Sequence, residues 1–446
     1  MTQIAFSFDT EDYVNPHAAD GILNCAEILR KAGIKGCFQV VARLAEALVK
    51  WGRTDIMEAL KYHEIDLHSL AHSYHPTINE YTDLEDFEEA KARFLHDELR
   101  AREIVSDVFG VKTFASACPP GSSVSYVAHY GYAEMGIPLY VGDLLIDPVR
   151  GRPIMNCNIL STDYHHFLDK FLLECTKEEI DALLDRIAVE KDMYIFYHHP
   201  QKGIVLQHPD ILNFNKGNTP ESEWKLSDRR PQEETDRFYE NLTYLVEQVA
   251  KDPRFEIVTF ADLAKQQQNQ TRTIRKEQIP MLKAQLEEDF FPVTDPDSYC
   301  ISDILLACRD FLCGAESHTC GTVYGFLETP YAIEEPVTVT AAEIQASASA
   351  FADGFLPTFV TVGTHKIGPA DWLRAAMEVL CGADTVTITP APWQIDMDQF
   401  PGVRDMNLKG RWIHADTFED RYLSHRYRLQ SWTYHLPKGT QRKIFA

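Results

Sequence analysis

Over the first 265 residues, short β-like runs alternate with amphipathic helical stretches, and this rhythm constrains the fold of the 446-residue chain more than any other feature. Strands are expected at 3–8 (QIAFSF), 36–41, 64–69, 112–117, 137–142, 193–198 and 255–260. Helices are expected between them, over 21–32, 44–51, 84–109, 177–189 and 233–251. Such an order predicts a parallel α/β architecture, a (β/α) barrel or a distorted relative of one. A doubly wound sheet fits less well, because no GxGxxG follows the first strand.

The texture changes at KQQQNQTR (265–272), which reads as a linker, so two domains are expected, 1–265 and 273–446. In the second, LKAQLEEDFFP (282–292) matches SASAFADGFLP (347–357) in pattern, and DILLACRDFLCG (303–314) matches DWLRAAMEVLCG (371–382). Two helical repeats follow, about 282–314 and 341–382, each a helix, an extended turn and a helix capped at Gly314 or Gly382.

A 45% hydrophobic content supplies a large core. The net charge of −24 argues against binding the phosphate backbone of a nucleic acid. No run of 18 apolar residues occurs, so no membrane span is expected. MTQIAFSFDTED lacks the basic and apolar regions of a signal peptide, and the ten scattered cysteines contain no CxxC. A cytoplasmic protein with reduced thiols is the expectation.

In a parallel barrel the catalytic groups sit where strands end. The first strand ends in FDTED, with Asp9, Glu11 and Asp12; the third ends at His68 and continues to His72 and His75. The fourth ends in CPPG (118–121), and a late strand ends in YHHP with His198 and His199. Alone, each piece has a plain account as a helix cap, polar loop residues or a strand stopped by proline. Together they are the inventory of a metal hydrolase: two imidazoles and a carboxylate hold a divalent ion with a position left open. His68 and His72 are expected to share a face of one helical turn. Asp9 and Glu11 are expected on one side of an extended strand end, so that one carboxylate binds metal while the other stays free as a base.

SFDTED (7–12), HEIDLHSLAH (63–72), Pro-Pro-Gly at 119–121, YIFYHHP (194–200) and FEIVTFADLA (255–264) resemble the polysaccharide deacetylases of carbohydrate esterase family 4, over about residues 1–265. The resemblance implies a distorted (β/α) barrel that hydrolyses an N-acyl amide, N-acetyl by preference, on a carbohydrate, with a divalent metal, zinc, as cofactor. It implies Asp9 as general base, Glu11 (or Asp12) with His68 and His72 as metal ligands, and His199 as general acid with His198 as the alternative. Pro120, Gly121 and His198 are expected to contact substrate. The chain departs from the family in two places: the arginine that pairs with the base is missing from KTFASACPPG (112–121), and Asp-Thr-Glu-Asp replaces an Asp-Asp pair.

Two other readings stay open, a non-catalytic glycan-binding protein and a metal-independent hydrolase of a small amide or ureide. The long segment HPDILNFNKGNTPESEW (208–224) is expected over the mouth, with Trp224 or Phe214 as a sugar-stacking surface or as packing residues. SDILLACRDF (302–311) and residues 341–380 resemble pseudomurein-binding repeats, which implies a structural, homo-oligomerising or glycan-binding role for the second domain.

Overall fold

The computed structural model describes residues 1–120, 124–143, 150–267 and 271–440. Its strands are β1 (Thr2–Thr10), β2 (Cys37–Val40), β3 (Glu64–Leu67), β4 (Ser116–Ala117), β5 (Leu139–Val141), β6 (Ile154–Asn156), β7 (Ile159–Thr162), β8 (His166–Phe167), β9 (Met193–His198) and β10 (Phe255–Ile257). From β5 the order runs β5-β4-β3-β2-β1-β9-β8, and these neighbours pair in parallel. β10 pairs with Thr2–Ile4 of β1, on the edge whose upper part, Ser7–Thr10, pairs with β2. Among the described residues the strand order has two ends, so the sheet is a half-barrel and not the closed ring that a (β/α) barrel would form. The end strand β8 has only two residues, too short a ladder to carry closure.

β1 is the axis of this sheet. It has neighbours on both edges and is buried along nearly its whole length, as strands of parallel sheets are. Its alternation sorts side chains: Phe6 stacks on Phe196 and Phe8 on Phe38, while Ser7 and Asp9 point to the other side. Each buried phenylalanine contributes roughly 1.5–3 kcal/mol. Helices lie between the strands, among them α1 (Asp20–Lys31), α2 (Ala42–Lys50), α3 (Thr54–Leu60), α4 (Ile78–Thr82), α5 (Phe87–Phe109), α6 (Tyr126–Glu134), α7 (Leu168–Glu174), α8 (Lys177–Glu190), α9 (Pro209–Asn213), α10 (Gln232–Lys251) and α11 (Phe260–Gln267). The longest, α5, starts where Asp86 accepts the Glu89 N–H and ends at Gly110 with φ 72°, a left-handed position that suits glycine.

The chain divides into two compact units, and neither is one continuous piece. The first holds Met1–Arg152, Ser161–Gln268 and Asn407–Leu423; the second holds Pro153–Leu160, Asn269–Met406 and Ser424–Ala446. A single cut between 265 and 273 therefore misplaces two segments. In the second unit, β11 (Thr273–Arg275) precedes α12 (Ile279–Glu288) and α13 (Ile301–Leu312), and pairs antiparallel with β12 (Ser317–Thr319). Further along come β13 (Val337–Thr340), α14 (Ala341–Ser347), the hairpin β14 (Val360–Val362) and β15 (His365–Ile367), α15 (Pro369–Leu380) and β16 (Thr385–Ile388), with β13 and β16 paired antiparallel. Gly314 and Gly382 both take positive φ after the second helix of their segment.

Residues 407–423 join the first unit through α4 and its flanks. Asp83 accepts the backbone N–H groups of Arg421 and Tyr422 at 2.7 and 2.8 Å, and the His414 ring meets Thr77 Oγ1 at 3.1 Å. Glu80 accepts from Thr77 N and Ala415 N, both at 2.6 Å, and from His75 Nδ1 at 2.9 Å. Burial alone would raise the Glu80 carboxyl, but these donors bring it down to about 2. Its ionised form thus stabilises the fold fully above the ordinary carboxylate range near 4.5, and that contribution is lost as pH falls towards 2. Glu80→Gln is expected to cost about 1–3 kcal/mol in urea unfolding at neutral pH, with the gap from the parent narrowing as the solution is acidified.

Candidate active site

Above the end of β1 the alternation carries on, and Glu11 stands on the same side as Asp9. Glu11 is 2% exposed, a cost that only partners can offset. His72 Nε2 lies 2.7 Å and His68 Nε2 3.1 Å from Oε2; Gln201 donates to Oε1 at 2.8 Å, His199 Nε2 is 3.5 Å from it, and His208 Nε2 also meets Oε1. Burial raises the Glu11 carboxyl, but the imidazoles of His72, His199 and His208 together hold it well below the usual carboxylate range. Burial opposes charge on His68 and His72, yet Asp9 beside the first and Glu11 beside the second push both up to about 10.

Each imidazole is oriented from behind. His68 follows β3, and its Nδ1 contacts the Cys118 carbonyl at 2.6 Å, which puts a proton on Nδ1 and turns Nε2 to the site. His72 Nδ1 meets Ser73 Oγ at 2.5 Å and Asp210 Oδ2 at 3.4 Å. His208, which caps α9, places Nδ1 3.1 Å from Asp210 Oδ2. The segment from 68 to 72 is not the helical turn expected of an i, i+4 pair. Ser69 and His72 take positive φ (69° and 52°), because the carbonyls of Ser69 and Leu70 turn to accept Ala42 N and Arg43 N at the start of α2. The turn still brings the two rings to 5.0 Å between centroids.

Asp9 is 2% exposed and accepts from the Tyr197 hydroxyl at 3.0 Å and the Tyr164 hydroxyl at 3.2 Å. The two phenol rings stack at 3.7 Å, and the Cys118 thiol sits 2.7 Å from the Tyr164 oxygen. Two phenols thus orient Asp9. His199 Nδ1 lies 2.8 Å from Asp169 Oδ2, and its Nε2 lies 2.6 Å from the Tyr197 oxygen. Tyr197 gives its proton to Asp9, so Nε2 must donate to it, while Nδ1 donates to a carboxylate; this arrangement calls for the imidazolium form. Burial disfavours that form, but Glu11 and Asp169 raise the ring above its ordinary range.

These groups line a cavity of about 800 Å³, with Asp9, Glu11, His72, Tyr164, Tyr197 and His199 on its floor. Lys170, Lys202 and Arg230 also reach it, and Trp412 stands edge-on to the His72 ring at 5.5 Å. Asp9, Glu11, His68, His72 and His199, distant along the chain, are thus neighbours here, with His68 one layer behind the cavity surface.

Four expectations require correction. His198 is fully buried: it pairs in register with Phe8, packs edge-on to that ring and against Phe238, and binds Asp169 Oδ1 at 2.6 Å, so it faces the helices and not substrate. Asp12 does not join the imidazoles, since its carboxylate accepts from Val14 N, Asn15 N and Asn15 Nδ2, and burial pushes it up to about 6. Pro119, and not Pro120, reaches the cavity; Gly121 lies outside the described residues. Phe214 and Trp224 do not line the cavity: Phe214 is fully buried against Tyr13 and Trp224, and the half-buried Trp224 packs on both rings.

Sequence reading misses His208, Asp210, Asp169, Tyr164, Tyr197 and Trp412. His-Pro-Asp at 208–210, a helix start with two ligand-type side chains, was a usable signal; nothing local marks Asp169 or Trp412. Helix α1 approaches the site backbone so closely that a Cβ on Gly21 would stand 2.1 Å from the Pro200 carbonyl oxygen, next to His199. Gly21→Ala is expected to cost about 1–3 kcal/mol in thermal unfolding through this clash.

A scan of protein-family models finds no match, and a search of curated proteins finds none. Among solved structures, similarity extends to a protein assigned as a polysaccharide deacetylase from Mycobacterium smegmatis (16% identity, 59% of this chain and 89% of that one, TM-score 0.41). It extends also to the PuuE allantoinase (12%, 59% and 89%, TM-score 0.40) and to a variant of the peptidoglycan deacetylase PdaC from Bacillus subtilis (14%, 64% and 96%, TM-score 0.33). At such TM-scores the likeness carries no weight, and the reaction has to be read from the side chains.

Proposed function

We propose that the first unit is a metal-dependent hydrolase of an N-acyl amide, N-acetyl by preference, on a carbohydrate. The observation that carries this reading is the pairing of Asp9, held by the hydroxyls of Tyr164 and Tyr197, with an imidazolium at His199 beside a carboxylate ringed by imidazoles. The donor set of Glu11, His68 and His72 suits a divalent ion such as zinc: their ligand atoms lie within 4.8 Å of one another, and the Nδ1 atoms of His68 and His72 are engaged from behind as those of metal-ligating histidines are. A bound divalent ion supplies Lewis acidity and makes water a stronger acid. Asp9 takes the proton from the attacking water, and His199 gives its Nε2 proton to the departing amine nitrogen. Asp169 holds the ring of His199 by Nδ1, Tyr164 and Tyr197 hold Asp9, and a cavity of this volume admits a sugar-sized ligand.

A metal-independent amide or ureide hydrolase is the second reading, favoured by one observation: the imidazoles and Gln201 already satisfy the buried Glu11 without an ion. The missing arginine, the main support for a non-catalytic glycan binder, loses force now that two phenols orient Asp9.

Asp9→Asn and His199→Ala are each expected to lower kcat for acid release from N-acyl sugars by about 10²–10⁴-fold with the fold intact by circular dichroism. Turnover equal to the parent's would remove both assignments. Asp169→Asn is expected to cost about 10²-fold in kcat, with KM changed far less, because it frees the His199 ring without touching substrate. Elemental analysis should find that His68→Ala and His72→Ala each lose an equivalent of divalent ion that the parent keeps; an active parent with no ion at this cluster would favour the second reading.

A further inference from the structure

The second unit carries a cluster of its own. Cys300 is the N-cap of α13, with its thiol accepting the Asp303 N–H at 3.2 Å, and Asp303 Oδ2 meets His435 Nε2 at 2.5 Å. A thiol sulfur, a carboxylate oxygen and a ring nitrogen from these three residues lie within 4.8 Å of one another. Cys320, one residue beyond β12, lies close enough to Asp303 that burial and the nearby carboxylate raise its thiol.

As plain structure the arrangement is poor. Cys300 and Asp303 are 0% exposed and His435 is 5% exposed, so these three groups are shut off from water, while Cys320 beside them is half-buried. Sulfur is a weak acceptor, and serine, threonine, aspartate or asparagine caps a helix better. Asp303 Oδ1 has no hydrogen-bond partner, an orphaned acceptor in a fully buried carboxylate. Yet two thiols, a carboxylate and an imidazole are a four-ligand set for a soft to borderline divalent ion. Cys300 and Asp303, three apart on the first helical turn, point to one side.

We propose that Cys300, Asp303, Cys320 and His435 form a structural zinc site in the second unit. Four protein ligands leave no position for substrate, so the role is structural. Binding displaces the two thiol protons to solvent and involves no redox change. Two thiolates and a carboxylate around a divalent ion carry a net single negative charge, which the nearby Arg272 offsets. The ion ties together the start of α13, the end of β12 and the strand-like contact of His435 with Met155, segments far apart in the chain.

The test uses the full chain, stripped of metal under reductant and titrated with Co(II). A thiolate-to-cobalt absorption band is expected to saturate within two equivalents, one ion at this site and one at the cluster around Glu11, and to vanish on adding Zn(II). It should be lost in Cys300→Ser and Cys320→Ser, and kept in His72→Ala and Cys118→Ser, which separates it from the cluster around Glu11. If the cysteine variants fail to fold, the parent still decides: zinc should slow alkylation of Cys300 and Cys320 at least about tenfold relative to chelator, with the exposed Cys313 unchanged. No thiolate band, a band that survives both cysteine changes, or equal labelling with and without zinc overturns the proposal.

Discussion

The buried carboxylate of Glu11 dictates much of the first unit. A lone charge at 2% exposure is not tolerated, and removing a partner from such a group costs several kcal/mol. Its partners come from residues 68, 72, 199, 201 and 208, and most need an anchor of their own: the Cys118 carbonyl, Ser73 with Asp210, and Asp169. One acid therefore fixes the ends of β1, β3 and β9 and the start of α9 relative to one another. It also accounts for the left-handed residues at Ser69 and His72, where a regular helix would not serve both the Glu11 oxygens and the α2 backbone.

What was legible in the sequence follows the period of two. Strand parity puts Asp9 and Glu11 on one side, and the same parity applied to Tyr197, His198 and His199 turns the middle residue towards the helices. The register confirms the parity argument for that strand, since His198 pairs with Phe8, a core residue. Pairing two adjacent histidines as interchangeable acids overlooked it. The helix expected across His68 and His72 failed because spacing of four also fits a tight turn, and only the hydrogen bonds from Ala42 and Arg43 decide between them. The short strands β6, β7 and β8 and helix α7 lacked enough residues to show a period, and helix α6, buried from Tyr126 to Tyr132, has no polar face to mark one.

Other parts were not legible because they depend on contacts between distant segments. Asp169 has no motif, yet it receives both His198 and His199. Trp412 belongs to a segment that a linear domain cut assigns to the wrong unit, and only the acceptors Glu80 and Asp83 show why it returns. The cysteines mislead in a related way. Scattered spacing argues soundly against a disulfide framework, but it says nothing of Cys300 and Cys320 both lying near the Asp303 carboxylate.

Charge bookkeeping links the two readings of the cavity. Four carboxylates, Asp9, Glu11, Asp169 and Asp210, face four imidazoles, His68, His72, His199 and His208. Without an ion the buried group approaches neutrality only when the imidazoles carry protons, which is why burial fails to keep His68 and His72 neutral. A divalent ion at Glu11, His68 and His72 would replace two of those protons and leave the sum unchanged. Protons and metal then compete for the same nitrogens, while the His199 proton, held between Asp169 and Tyr197, stays outside that exchange. Of the two carboxylates that raise His199, Glu11 takes part in that exchange and Asp169 does not, so a bound ion weakens the hold on this proton without removing it.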